Sequence, residues 1–353
     1  MARILTIAIV CAMLGAAAEL HAQTVESKLA ALETLPPAER QHKLYEAAKN
    51  EGEAIVYANM DVSAMKPLTD GFMKRYPGVK ATSVHFSGAA IITRLDTEAR
   101  AGKPMSDVVL SGQLGVLALI DKNIAARYRS PAREFFNTGL KDKEGLWTAY
   151  MTNVMVSAYN TRQVKKEDAP HRVEDLLKPR WNGKLTMDSQ SYVWFGTMMQ
   201  YLGEEAGLSF MKRLNEQNIS HQRGRRLMTQ LVAAGEFDMA VETNLNSVLT
   251  LAKQGAPLAF APIQPYFLSP SLVFMSANAP RPYAGALFID YLLSEAGQKI
   301  IVGTNRMPAN VKVKSPESQL LEGQDVRTPD IFDIGKHYQA IGNRYREIFS
   351  GAR

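Results

Sequence analysis

A single cysteine, Cys11, stands among 353 residues. That excludes a disulfide framework and a four-thiolate zinc site. The histidines His21, His42, His85, His171, His221 and His337 are scattered singly, and no two lie three or four residues apart. A zinc helix of the H-E-x-x-H kind is therefore absent. So are a phosphate-binding P-loop, a G-x-G-x-x-G turn and a G-x-S-x-G nucleophile elbow. Neither sign of charge dominates: 41 basic against 35 acidic residues leave +6. That is too mild for a nucleic-acid arm, and no nucleic-acid partner is expected; weak attraction of anions fits as well. With 46% hydrophobic and 22% charged residues, disorder and low-complexity architectures are also excluded. The length suits two domains.

Residues 1–22 read as a signal peptide. Met1-Ala2-Arg3 is a short positive start, and Ile4 to Ala18 carries no charge. Such a run is shorter than the roughly 20 apolar residues of a membrane span and has the length of a signal-peptide core. Cleavage is expected after Ala22, with Ala18 the alternative. Val10 ahead of Cys11 is too large for a lipoprotein signal, so Cys11 leaves with the leader. No later run is long and apolar enough to span a membrane, so the mature chain is not expected to be membrane-inserted.

Residues 23–40, polar and Ala-rich with Pro36-Pro37 inside, are expected to form a surface extension. Strands are predicted at residues 54–58, 79–85 and 107–110, each followed by a helix pattern. Met65, Leu68, Phe72 and Tyr76 mark one such helix face, and Leu114 to Asp121 is another predicted helix. A long apolar strand runs from Trp147 to Tyr159. The alternation then restarts with strands at 184–188, 219–222, 238–242 and 257–261 and helices at 192–202, 225–234 and 245–254. A strand at 271–276 and a helix opening at Pro282 follow, and Tyr338, Ile341, Tyr345 and Ile348 mark a last docking helix. Strand–helix alternation of this kind implies crossover units and mostly parallel sheets. The predicted class is α/β.

In open α/β sheets the ligand lies beyond the carboxyl ends of the strands. The residues just there are small and polar: Asn59, Asp61 and Ser63; Ser87 and Gly88; Ser111. In the second half they are Ser189, Ser191 and Tyr192; Arg223 and Arg225; Thr243 and Asn244. Serine, glycine or asparagine at a helix start leaves backbone N–H groups pointing outward, which attract carboxylate or phosphate. Plain helix capping explains any one of these sites; their number, on matching ends of two halves, is the signal. Arginine can grip such an anion with two parallel hydrogen bonds. These thirteen residues are the expected ligand site, with Tyr192 or Trp194 as an apolar wall. No residue is assigned a catalytic or metal-ligating role, and no cofactor is expected.

The order of motifs resembles a family. Leu44-Tyr45-Glu46-Ala47-Ala48-Lys49-Asn50-Glu51-Gly52, the Ile55-Val56-Tyr57 strand and Phe72-Met73-Lys74-Arg75-Tyr76-Pro77-Gly78-Val79 look like the opening of periplasmic solute-binding proteins of bacterial ABC importers, in the ferric-ion-binding-like subgroup. Trp181-Asn182-Gly183-Lys184, Ala234-Gly235-Glu236 and Phe288-Ile289-Asp290-Tyr291-Leu292-Leu293-Ser294 continue the match, which runs from about residue 41 to 313. The resemblance implies a type II binding-protein fold: two lobes, two crossing strands as a hinge, and a small-molecule ligand clamped between. Residues 41–158 and 270–353 would form lobe 1 and residues 159–269 lobe 2. It further implies a periplasmic location, an ABC permease with its ATPase as partners, a monomer, and no enzymatic activity. Ferric binders of the subgroup usually carry paired tyrosines where this chain has Thr243-Asn244, and many carry a histidine where it has Asn59-Met60-Asp61. That departure favours an organic anion, of carboxylate or phosphonate type, over bare iron. The alternatives are chelated ferric iron and, in another class, a secreted α/β enzyme using the same cleft.

Overall fold

The computed structural model describes residues 24–112 and 123–349. The leader and the helix predicted over residues 114–121 lie outside the described residues. The chain opens with helices α1 (Val25–Glu33) and α2 (Pro37–Glu51). This corrects the surface extension expected over 23–40, because Val25, Leu29 and Leu32 are buried in the core. Their spacing is one helix face, and the Thr24 hydroxyl caps it by accepting from the Ser27 N–H. Pro37 occupies the first helical position of α2, where its missing N–H costs nothing, so the proline pair separates two helices.

A first run of alternation follows: β1 (Glu53–Ala58), α3 (Val62–Arg75), β2 (Lys80–His85), α4 (Gly88–Arg100) and β3 (Val108–Gly112). The three strands are parallel, with β1 between β2 and β3. After β4 (Ala125–Ala126) comes the long β5 (Thr148–Asn160). The second run is β6 (Leu185–Asp188), α5 (Tyr192–Leu202), α6 (Glu204–Asn215), β7 (Ser220–Gln222), α7 (Arg225–Ala234), β8 (Met239–Asn244), α8 (Leu245–Lys253) and β9 (Leu258–Phe260). The chain returns through β10 (Tyr266–Ser276) to α9 (Pro282–Leu293) and α10 (Glu295–Gly303). It ends with β11 (Met307–Pro308), α11 (Pro316–Leu320), β12 (Val326–Arg327), α12 (Ile331–Lys336) and α13 (Tyr338–Phe349).

The sheet order is β2-β1-β3-β10-β5-β8-β6-β7. Two antiparallel strands sit at its centre, paired from Phe267 against Met155 to Val273 against Thr148. The far end of β5 pairs instead with β8, from Met155 against Asn244 to Tyr159 against Met239. One strand thus belongs to both halves of the sheet, and the register shifts between Ser271 and Leu272 and between Val156 and Ala158.

One hydrophobic cluster fills the first half and continues across β5 onto one face of the second. Another covers the opposite face of the second half and includes Tyr345 and Phe349 of α13. The last helix therefore docks on the second half, which corrects its assignment with residues 270–353 to lobe 1. Tyr345 is the anchor: its ring lies 5.2 Å from that of Tyr192 and its hydroxyl donates to the Asp188 carbonyl at 2.7 Å.

At the junction of α2 and α9, a Glu51 oxygen accepts from the Ala284 N–H at 2.7 Å. Burial nevertheless pushes this carboxyl up to about 7, against that bond and with the Asp107 charge adding to it. Burial likewise raises Asp107 to about 6, although it accepts from the Ile55 and Arg281 N–H groups. A raised acid contributes stability that is present below its ordinary pKa, near 4.5 for Glu51, and lost as pH rises through about 7. Glu51→Gln keeps an acceptor for Ala284 and removes the proton. Solvent screening at this half-buried carboxyl reduces the full linkage of about 1.4 kcal/mol per pH unit, so the native chain should lose roughly 1–2 kcal/mol more than the variant between about pH 5 and 8. Urea titrations at both pH values measure this; parallel losses would show that the buried carboxyl is not the cause.

Candidate functional site

Five helices start just beyond strand ends, at α3, α4, α5, α7 and α8. Their N-cap residues are Asp61, Ser87, Ser191, Gly224 and Asn244. The Ser87 hydroxyl caps α4 by accepting from the Ala90 N–H at 3.4 Å. Asp61, Ser191, Gly224 and Asn244 make no side-chain cap bond. First-turn N–H groups of four helices are thus not met by an N-cap side chain, and each carries the positive end of a helix dipole.

On the first half, Asn59 follows β1, and its side-chain amide nitrogen lies 3.7 Å from the place a Cβ on Gly112 would take. Ser63 and Ser87 are exposed, and α4 begins at Gly88. Ser111 is fully buried at the end of β3, and its hydroxyl meets no hydrogen-bond partner. Sequence reasoning missed two further groups here. Arg306 approaches the Asp61 carboxylate at 3.8 Å, and Tyr150 on β5 holds a buried hydroxyl beside the Ser271 side chain. Burial pushes the Tyr150 hydroxyl well above its ordinary pKa, with Arg306 and a hydrogen bond with Ser271 working in the other direction, so it stays a neutral phenol at physiological pH.

On the second half, the expected pair of arginines divides. Arg223 is exposed. Gly224 takes φ 102°, a conformation that favours glycine, and the chain turns there into α7. Arg225 is engaged: its Nε donates to Glu242 Oε2 at 2.7 Å, and Glu242 is only 1% exposed. The Ser191 hydroxyl donates to the other Glu242 oxygen. The Glu242 charge holds the guanidinium pKa above its ordinary value, against burial. The Thr243 hydroxyl shares a 2.6 Å hydrogen bond with Thr229 in the core, and Asn244 opens α8. The Ser189 N–H donates to the Gln222 carbonyl at 2.8 Å, which joins the loops after β6 and β7.

Tyr192 differs most from expectation. It packs against Tyr338 and Tyr345, and its hydroxyl accepts from Arg346 Nη1 at 2.9 Å. The last helix thus covers the ring that was expected to form an open wall. Trp194 lines a small, partly open pocket with Met155 and Phe267. A larger cavity of about 460 Å³ lies between α5 and the last two helices, where Arg344 and Glu204 pair. Among the described residues no three His, Cys, Asp or Glu side chains are grouped to hold a metal ion, and no helix is long and apolar enough to cross a membrane.

Residues 103–336 match the family described as bacterial extracellular solute-binding protein. The chain belongs to that family. This solute-binding protein is 22% identical to an Fe(3+)-binding periplasmic protein of Serratia marcescens over 307 residues, which cover 81% of this chain and 87% of the other. Among solved structures it resembles the apo ferric ion-binding protein A of Pasteurella haemolytica, with a TM-score of 0.72 at 21% identity over 84% of this chain and 98% of that one. A Trichodesmium protein in complex with iron and citrate ligands gives 0.73 at 19%, over 84% and 99%. The periplasmic binding protein AfuA of Actinobacillus pleuropneumoniae, with fructose-6-phosphate bound, gives 0.70 at 21%, over 86% and 100%. The fold of the solute-binding protein is therefore that of the type II periplasmic binding proteins, a central sheet flanked by helices. The expected family and fold are both met. Family members are periplasmic or extracellular, and its relatives are binding proteins rather than enzymes.

Proposed function

We propose that this solute-binding protein is exported to the periplasm, captures a small organic anion of carboxylate or phosphonate type, and delivers it to an ABC permease and its ATPase. The carrying observation is the set of four helix starts, at Asp61, Ser191, Gly224 and Asn244, with no side-chain cap bond. Oriented N–H groups at strand ends suit an anion and need no metal. The place where ferric binders of the subgroup carry tyrosines holds Thr243, whose hydroxyl is bonded to Thr229, and Asn244. Lobe closure would bend the β5–β10 pair, where the register shifts, and the closed form would be what the permease recognises. Monomeric action suits this mechanism.

A second reading is ferric iron held through a chelating anion. Its support is the Trichodesmium protein of the same fold, which holds iron together with citrate. Protein recovered from its own periplasm decides between the readings. Its intact mass should lack residues 1–22, and native mass spectrometry should show a small anion that makes the protein more compact in solution scattering. Bare iron as the sole bound species would end the anion reading; iron with an anion would favour the second.

A further inference from the structure

Arg306 stands just before β11, which pairs with β5 at Thr152 and Met151 near the middle of the sheet. Asn305, at φ 56°, turns the chain there, and Arg306 Nη1 donates to the Thr304 carbonyl at 3.0 Å. One edge of the guanidinium is fixed in this way. The other looks toward Asp61, whose Oδ2 is 3.8 Å from Nη2. That separation is too long for a hydrogen bond. Asp61 holds the N-cap position of α3 yet makes no side-chain cap bond, and its side chain is 76% exposed. The carboxylate therefore neither caps its helix nor closes on the arginine.

The neighbouring strands present buried polar groups, one of which lacks a partner. The Ser111 hydroxyl is fully buried and has no hydrogen-bond partner, and the buried Tyr150 hydroxyl has the Ser271 side chain as its polar neighbour. Ser271 links them: it pairs with Met151, next to Tyr150, on one side and with Gly112, next to Ser111, on the other. The Asn59 amide lies against the same Gly112, two residues before Asp61. The Arg306 charge reaches the Tyr150 hydroxyl, where it opposes the effect of burial. An arginine, an uncapped helix start and an unsatisfied buried hydroxyl, that of Ser111, are thus gathered at the ends of β1 and β3. Buried polar groups without partners are uncommon in native proteins and invite a ligand or water.

We infer that Arg306 is the anion seat of the first lobe and that Asp61 is its placeholder. A carboxylate or phosphate group of the incoming solute takes the free edge of the guanidinium and the first N–H groups of α3, and Asp61 moves out to solvent. This rests on the reading of the ligand as an anion. A long, exposed ion pair holds weakly, so its exchange costs little. A bidentate arginine–anion pair with added backbone donors holds more strongly.

The test is calorimetry on the full mature chain with citrate, inorganic phosphate and fructose 6-phosphate as separate probes. Whichever probe binds the native chain should bind Arg306→Gln roughly 10- to 150-fold more weakly, the worth of a hydrogen bond to a charged group. Asp61→Asn should bind it about two- to fivefold more tightly, because the competing carboxylate is gone. Asp61 is exposed, so its variant folds even if Arg306→Gln does not, and the sign of its effect decides alone. Unchanged binding by a folded Arg306→Gln, or weaker binding by Asp61→Asn, overturns the placeholder while the anion reading stands. If the native chain binds none of the three probes and takes up bare ferric iron, both fall together.

Discussion

Asp290→Ala should cost the fold about 3–5 kcal/mol, the loss that follows when one partner of a buried ion pair is removed. Asp290 accepts from Arg40 Nη1 at 2.8 Å and from the Tyr128 hydroxyl at 2.8 Å, and Arg40 Nη2 donates to Tyr128 at 2.6 Å. All three side chains are buried, so the triangle is closed off from water. Burial raises the Asp290 pKa, while Arg40 and the bonds from Arg40, Ser130 and Tyr128 oppose it. Burial works against the Arg40 charge, but Tyr128 and Asp290 hold its pKa above the ordinary value. Alanine would leave that guanidinium with no counter-charge. The triangle ties α2 to α9 through the segment that follows β4, so urea unfolding followed by circular dichroism should register the loss in one transition. Arg40→Met with Asp290→Leu replaces the pair by apolar volume and should recover most of it. A single-mutant loss below about 1 kcal/mol would mean that the charge finds water, and the account of a sealed triangle would fail.

Arg225→Ala is the second large effect, also about 3–5 kcal/mol, and it should appear as lost stability as well as altered binding. The sequence places Arg225 at a helix start and suggests a ligand contact. The structure commits its Nε to Glu242, a carboxylate 1% exposed. Without the arginine, Glu242 keeps the Ser191 hydroxyl and loses its counter-charge. Adding Glu242→Gln to Arg225→Ala removes the stranded charge while keeping an acceptor for Ser191. The double variant should regain most of the stability. If it does not, side-chain packing by the arginine stem, rather than charge, accounts for the loss. Arg223→Ala makes a useful contrast, since Arg223 is exposed and a change there should leave stability within about 0.5 kcal/mol.

Much of the architecture was legible because periodicity is a local property. The helices at Tyr192–Leu202 and Arg225–Ala234 begin and end where the pattern puts them. The strand at Thr148–Asn160 announces itself by its length and apolar content. The helix at Glu204–Asn215 carries the same kind of local signal, since Gly207, Phe210, Met211 and Leu214 form its buried stripe. The family followed from the order of short motifs, each weak and together specific.

What the sequence determined by itself, then, is the set of elements, their alternation, and the polar strand ends where a ligand could sit. Each depends on residues a few positions apart, and helix and strand periods expose them. Which partner each side chain meets is a question of three-dimensional distance, and only the tertiary structure decided it. It placed Val25, Leu29 and Leu32 in the core and turned a supposed extension into a docked helix. It laid the last helix over Tyr192, from 146 residues further along at Tyr338, and closed off an expected wall. It engaged Arg225 with Glu242 across a strand and helix, and it brought Arg306 to Asp61 from 245 positions away. Charge pairing and burial act through space, where sequence separation has no bearing, so the partners of these side chains were decided by packing.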